Sequence, residues 1–249
     1  MDNSKALYEE FHKHTTFLKR IPKSTDFGMI HHLPIYSRYF QKGSNVLDIG
    51  CGAGPMSLFA ASRGGVVKGV DLSEKAIAEN RKAAVFHELE NLTFECENFL
   101  DYADEAQYDV IMMTEVLEHL ADDRGALEKI YQLLNTGGHL LMSVPSANAP
   151  LHRRYMKTHG KDHFDERVGH LRRYRPADIL NLVCHSGFNL IEFKLCEGYL
   201  RNWLFNDRVG QLFMRFNVGP MKYLVTFVDD KFFTPLFGES DIILVAQKA

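Results

Sequence analysis

Two features of the sequence have the residue types and spacing for chemistry. The first is Val46-Leu47-Asp48-Ile49-Gly50-Cys51-Gly52-Ala53-Gly54, an apolar run that ends with glycine at every second position. Glycines in such a loop permit positive φ and let a ligand approach the main chain closely. A helix beginning just after the loop would offer unpaired N–H groups. The second feature is Asp71, seventeen residues after Gly54 and directly after the apolar run Val66–Val70. An acid at the end of a second strand can accept hydrogen bonds from both hydroxyls of a ribose, and crevices beyond strand ends are where open α/β sheets bind ligands. A ligand-free strand–helix turn would account for the glycines but not for Asp71 at this offset. The pair therefore points to a nucleoside. A dinucleotide loop follows G-x-G-x-x-G; here the sixth position is Pro55, which counts against NAD and an oxidoreductase.

These residues need a scaffold, and the chain supplies the pattern of one. Apolar β-type runs at 46–49, 66–70, 92–96, 109–113 and 140–144 alternate with helix candidates near 55–63, 73–88 and 122–134. Strand–helix–strand units at this spacing make right-handed crossovers and a parallel sheet covered on both faces. Pro55 suits a first helical position, Ser73 suits a helix N-cap, and Gly137-Gly138 is expected to end the helix before it. A helix starting near Pro176, a sixth strand over Phe188–Leu195 and a last strand over Asp241–Ala246 complete the reading. The expected fold is a doubly wound, mostly parallel seven-stranded α/β sheet of Rossmann-like type. Residues 1–42 read as an N-terminal helical cap laid over the sheet's edge. Residues 43–249 read as the main domain, with helical cap insertions at about 145–175 and 197–239, because loops that long are usually functional.

The 249 residues carry 29 Lys+Arg against 32 Asp+Glu, a formal net charge of -3 that offers no case for nucleic acid. The four cysteines form no C-x-x-C pair, which fits thiols kept reduced. The start of the sequence has no apolar signal core and no 18-residue apolar run occurs, so a cytoplasmic protein without an integral membrane segment is expected.

The glycine loop resembles the first motif of the class I S-adenosylmethionine-dependent methyltransferases. The resemblance extends over about 200 residues: Gly69-Val70-Asp71-Leu72-Ser73, Glu97-Asn98-Phe99, Asp109 through Leu120 around Thr114-Glu115-Val116-Leu117-Glu118-His119, Thr136-Gly137-Gly138-His139-Leu140, and Gly169-His170-Leu171-Arg172-Arg173-Tyr174. It implies S-adenosylmethionine as cofactor and a last strand that runs antiparallel. Gly50, Gly52 and Gly54, with Asp48 and Cys51, would line its methionyl part, Asp71 would take the ribose, and Leu72 would flank the adenine. Asn98, where the family often has Asp, and Phe99 would meet the adenine, while Thr114 and Glu115 would face the sulfonium. Thr-Glu-Val-Leu after the fourth strand is not the Asn/Asp-Pro-Pro-Tyr type of nucleic-acid or glutamine enzymes, so the resemblance implies a small-molecule acceptor methylated on oxygen or nitrogen. A non-catalytic cofactor-binding partner protein is the alternative.

Methyl transfer needs alignment and exclusion of water, and a neutral acceptor also sheds a proton, for which a general base contributes roughly 10²–10⁴-fold. Among 12 histidines, His119 beside the crevice and His163 and His170 in the first cap are the candidates. His12, His14, His31 and His32 lack a third ligand nearby in sequence, so no metal site is expected. Residues 152–175 hold eight Lys/Arg against three acids, and residues 197–239 hold ten aromatics, including Trp203, Phe205, Phe213, Phe216, Tyr223, Phe232 and Phe233. One basic and one aromatic cap imply an acceptor with an apolar body and an anionic group. The aromatics also fit core, a homodimer interface, or peripheral contact with a membrane.

Overall fold

The computed structural model describes residues 3–104, 106–206, 210, 212 and 219–249. Phe213 and Phe216 of the aromatic stretch lie outside these. Seven strands form one sheet: β1 (Asn45–Ile49), β2 (Val66–Asp71), β3 (Leu92–Cys96), β4 (Tyr108–Thr114), β5 (Leu134–Pro145), β6 (Phe188–Cys196) and β7 (Asp241–Lys248), in the order β3-β2-β1-β4-β5-β7-β6. The first five strands run parallel, and β7 runs antiparallel to both β5 and β6. The order reverses between β1 and β4, the point at which open α/β sheets of this kind bind their ligands.

Period-two alternation assigns the strand side chains to two cores. Leu47, Ile49, Ile111, Met113, Leu140, Met142 and Leu244 pack on one face under α5 (Asp123–Leu133) and α8 (Pro176–His185). Val46, Val67, Val110, Met112, Leu141, Ile243 and Val245 pack on the other with α2 (His32–Tyr36), α3 (Pro55–Ser62) and α4 (Glu74–Phe86). Pro55 opens α3 after Gly54, and the Ser73 hydroxyl caps α4 by accepting from Ala76 N–H.

Two local readings are corrected. Gly137-Gly138 does not end α5. That helix stops at Leu133 and β5 begins at Leu134, with both glycines inside the strand near the break in register at Tyr108/Val110. Gly137 takes φ 77°, and a Cβ on Gly138 would meet the Asn135 carbonyl oxygen at 2.9 Å, so the glycines bend the strand's entry. The N-terminal segment does not simply lie over an edge, because α1 (Asn3–His12) sits on α4 beside the carboxyl rim. The Glu9 carboxylate accepts from Ser73 Oγ at 3.2 Å and Glu74 N–H at 2.5 Å, meeting the donor end of α4.

The insertions fold as helices: α6 (Pro150–His159) and α7 (His163–Val168) in the first, α9 (Tyr199–Asn206), α10 (Gly219–Val228), a π-helical turn (Asp229–Phe233) and α11 (Thr234–Phe237) in the second. Buried Arg201 secures the second, donating to Thr226 Oγ1, the Phe27 carbonyl and Glu197 at 2.8 Å each. Buried Asp229 accepts from the N–H groups of Gly198 and Leu200 at the start of α9.

Gly69, inside β2, shows how tightly the sheet packs. A Cβ there would lie 2.6 Å from the Phe94 ring and 3.1 Å from Ser57 Oγ. Gly69→Ala is expected to cost about 1–3 kcal/mol through overpacking. Urea denaturation reads it directly; an unchanged midpoint would refute this packing.

Candidate active site

The loop after β1 takes the left-handed path expected of its glycines. Gly50, Gly52 and Gly54 have φ of 65°, 50° and 77°. The reasons differ among the three. A Cβ on Gly50 would fall 2.4 Å from Val116, and one on Gly54 would fall 2.8 Å from Asn80 Oδ1, so both glycines serve packing. At Gly52 the nearest atoms are those of His12, at 3.5 Å or more, so its backbone fronts the space between the loop and α1. Gly52 N–H donates to Asp71 Oδ2 at 2.8 Å and Ser73 N–H to Oδ1 at 2.9 Å. The two amides fix the carboxylate, and each oxygen keeps a lone pair for a ribose hydroxyl. Asp48 stands one layer deeper, buried and accepting from Ser57 Oγ at 2.5 Å; burial pushes its pKa up to about 7. Cys51 is also buried and accepts from Asn80.

Just after β3, Asn98 is engaged in its own turn. Its Oδ1 accepts from Leu100 N–H at 3.1 Å and its Nδ2 donates to Asp101 at 2.8 Å. Phe99 is buried in the core beneath the Lys129 ammonium. Leu72 is half-buried at the end of β2.

Beyond β4 the chain turns at Glu115, a non-glycine residue with φ 54°. That conformation costs of order 1–3 kcal/mol and persists where the surroundings demand it. The Glu115 side chain is held by Ser143 Oγ, which donates to Oε1 at 2.8 Å. Thr114 Oγ1, the Tyr36 hydroxyl, both nitrogens of His32 and Asp241 Oδ1 are buried here without hydrogen-bond partners. Asp241 reaches this rim because β7 runs antiparallel, so its first residue pairs with Pro145, the last of β5. His32 Nε2 stands 3.5 Å from Asp241 Oδ2, and its ring meets Tyr36 edge to face at 5.6 Å. Burial pushes the Asp241 carboxyl and the Tyr36 phenol well above their ordinary ranges, and lowers His32 to about 4.

A neighbouring group brings together Glu118, His119 and His170. Glu118 is fully buried with both carboxylate oxygens unpartnered, and burial raises its pKa well above the carboxylate range. His119 Nδ1 lies 3.1 Å from the Gly169 carbonyl and His170 Nδ1 lies 2.8 Å from Asp165 Oδ1. Each contact assigns the proton to Nδ1 and leaves an Nε2 lone pair 3.7 Å from Glu118 Oε1. Ligand atoms around a tetrahedral ion with bonds of about 2.1 Å stand roughly 3.4 Å apart, so the three can close on one divalent cation, with Gly169 and Asp165 orienting the imidazoles. A second trio, His152, Asp162 and Asp165, is already served by Arg173, whose guanidinium grips Asp165 at 2.6 Å.

Of the histidines expected to act, the structure brings His119 and His170 to the rim and leaves His163 exposed at the start of α7, paired with Glu166 at 3.1 Å. Sequence reasoning missed Tyr36, Glu118 and Asp241, and set His32 aside. The spacing of Glu115, Glu118 and His119 was the one available signal for Glu118. Of the basic stretch, Lys161, Arg172 and Arg173 are paired with Glu166, Asp123 and Asp165. The unpartnered groups facing the rim are acids, imidazoles and hydroxyls.

A family model described as a methyltransferase domain matches residues 28–192. This chain belongs to that family. The domain is 33% identical over 121 residues to the ubiquinone biosynthesis O-methyltransferase of Coxiella burnetii, an alignment covering 46% of this chain and 51% of that one. It thus spans about half the length of this relative. The magnesium protoporphyrin IX methyltransferase of Synechocystis, solved with bound SAH, has the same fold at TM-score 0.60 and 19% identity, covering 91% of this domain and 83% of that chain. A structure described as a sarcosine dimethylglycine methyltransferase from Galdieria sulphuraria superposes at TM-score 0.66 and 12% identity, over 100% and 99% of the two chains.

Two measurements check the site. Burial holds His32 uncharged to about pH 4, and His31, also lowered by the nearby cations Arg201 and Lys194, to about 2. The unfolded chain takes these protons near 6.5, so the stability both rings contribute is complete above that value. It is lost as pH falls, from 6.5 to about 4 for His32 and on towards 2 for His31. Their imidazole NMR signals should stay fixed from pH 8 to 5; movement centred near 6.5 would refute their burial as free bases. Zn²⁺ should raise the melting temperature of the wild type and not of Glu118→Gln, and equal shifts would exclude Glu118 as a ligand.

Proposed function

We propose that this chain transfers a methyl group from S-adenosylmethionine to an oxygen of a small, neutral, mostly apolar acceptor. The observation that carries the reading is Asp71, fixed by two backbone amides opposite Gly52 at the switch point of a methyltransferase-family sheet. When bound, the sulfonium supplies an activated methyl group. Asp71 accepts the ribose hydroxyls, charged hydrogen bonds of roughly 1.5–3 kcal/mol. The Gly52 backbone leaves room for the methionyl part, and Thr114 and Glu115 flank the reacting end. The α1 helix, with His12 over Gly52 and Tyr8 against His119, closes the crevice from above and excludes water. The relative's name as an O-methyltransferase supports oxygen over nitrogen. Unpaired acids at the rim favour a neutral acceptor over an anionic one, since like charges in a buried site repel.

Among the described residues no helix is long and apolar enough to cross a membrane. Tyr223, Leu224, Phe227, Phe232, Leu236 and Phe237 nevertheless stand exposed along α10, the π-turn and α11. This face supports peripheral contact with a lipid surface, from which an apolar acceptor would be drawn. Co-sedimentation with lipid vesicles should weaken in Leu224→Ser/Phe227→Ser; unchanged binding would remove the face from that role.

S-adenosylmethionine or its demethylated product, at about 100 times its dissociation constant, should stabilise the protein by about 2.7 kcal/mol. Asp71→Ala should lose most of that shift. NAD(H) should give none, and a shift with NAD(H) alone would overturn the reading. A panel of phenols and other hydroxyl compounds, scored for demethylated cofactor, identifies the acceptor; binding without turnover on any would favour a non-catalytic partner role.

A further inference from the structure

The hydroxyl, carboxylate and imidazole atoms left unsatisfied around Tyr36, His32, Asp241 and Thr114 need an explanation of their own. A buried polar atom without a partner costs about 1–3 kcal/mol, and native structures contain few of them. Here several converge where β4 ends, β5 ends and β7 begins. Tyr36 is wholly buried, and His32 and Asp241 are each 7% exposed. The set contains donors and acceptors together, which suits a ligand hydroxyl able to give and take a hydrogen bond. The Tyr36 phenol faces Thr114, and the Asp241 carboxyl faces Glu115. The group therefore adjoins the residues that flank the reacting end of the cofactor crevice.

We propose that His32 receives the acceptor's hydroxyl proton, that Asp241 orients His32, and that Tyr36 and Thr114 hydrogen-bond the acceptor oxygen. This rests on the methyl-transfer reading above. As the acceptor oxygen bonds to the methyl carbon, the carbon–sulfur bond breaks and its electron pair stays on sulfur. The hydroxyl's O–H bond breaks and its proton goes to Nδ1 of His32, Nε2 being the nitrogen that faces Asp241. The charged groups around His32 are Asp241 on β7, Glu197 after β6, Lys194 on β6 and Arg201 on α9, with Tyr36 on its own helix. Lys194 is engaged with His31 at 2.8 Å and with Asp230 at 3.4 Å, and Arg201 with Glu197 at 2.8 Å. Asp241 is thus the acid beside His32, its Oδ2 standing 3.5 Å from Nε2 while its Oδ1 has no hydrogen-bond partner. Glu197, at φ 61°, is held in a strained conformation next to the same space.

The test uses the full chain saturated with demethylated cofactor and 4-nitrophenol, whose phenol and phenolate forms absorb differently. In the wild type the bound probe should ionise at lower pH than the free probe. In His32→Gln and Asp241→Asn that displacement should shrink by about tenfold in ionisation constant, a full pKa unit. His163→Gln, an exposed ring elsewhere, should behave as wild type. Retention of the cofactor thermal shift shows that each variant is folded; if His32→Gln loses it, Asp241→Asn and Tyr36→Phe decide. With an acceptor in hand, His32→Ala should lose about 10²-fold or more in kcat, and added imidazole should restore part of it. A probe that ionises identically in wild type and variants, or a wild type that does not perturb it, overturns the proposal. A wild type without any cofactor shift would instead strike the methyl-transfer reading itself.

Discussion

The hydrogen bond from Gly52 N–H to Asp71, 2.8 Å across the ends of β1 and β2, is the contact on which the rest of the site depends. It ties the glycine loop to the acid that follows the second strand and fixes both at the switch point. A carboxylate held by backbone amides has its direction set before any ligand arrives. The loop can make this contact only because Gly52 adopts a left-handed φ, and it can adopt that path only because Gly50 and Gly54 let Val116 and Asn80 close in on either side. Packing and binding are therefore one requirement expressed at three alternate positions.

The carboxyl rim beyond that contact gathers groups that a folded protein ordinarily avoids burying unpaired. Glu118 and Asp241 come from the turn after β4 and from an antiparallel strand that arrives much later in the chain. Burial raises the pKa of both and lowers that of His32, the expected directions for charges denied water. Such groups lower stability unless something satisfies them. Their concentration at one end of the sheet contrasts with its two faces, which are packed mainly with apolar side chains. The helical insertions cover this end and are themselves pinned by buried polar contacts, Arg201 to Phe27 and Thr226, and Asp229 to the start of α9.

The strands, the loop after β1, Asp71 and the caps at Pro55 and Ser73 were legible because each depends on neighbours in sequence. Alternating apolar residues mark a strand wherever it pairs, and a serine before a helical run caps it whatever surrounds it. Gly137-Gly138 misled for the converse reason: glycines after a helix usually end it, but here the strand begins first and uses them to bend. Within the basic stretch, Arg173 and Arg172 are paired with Asp165 and Asp123, which lie on different helices, one of them outside the stretch, so the pattern of charges along the chain does not record these pairs.

Sequence by itself determined the alternation of elements, the parallel sheet of the first strands, and the nucleoside-type loop with its acid, because short-range pattern and spacing dictate these. Tertiary structure alone decided which polar residues share the buried rim. His32 and Asp241 stand more than two hundred positions apart in the chain and meet only because α2 packs on the sheet and β7 inserts between β5 and β6. Nothing local in either residue's surroundings records the other; their proximity is a property of strand order and direction.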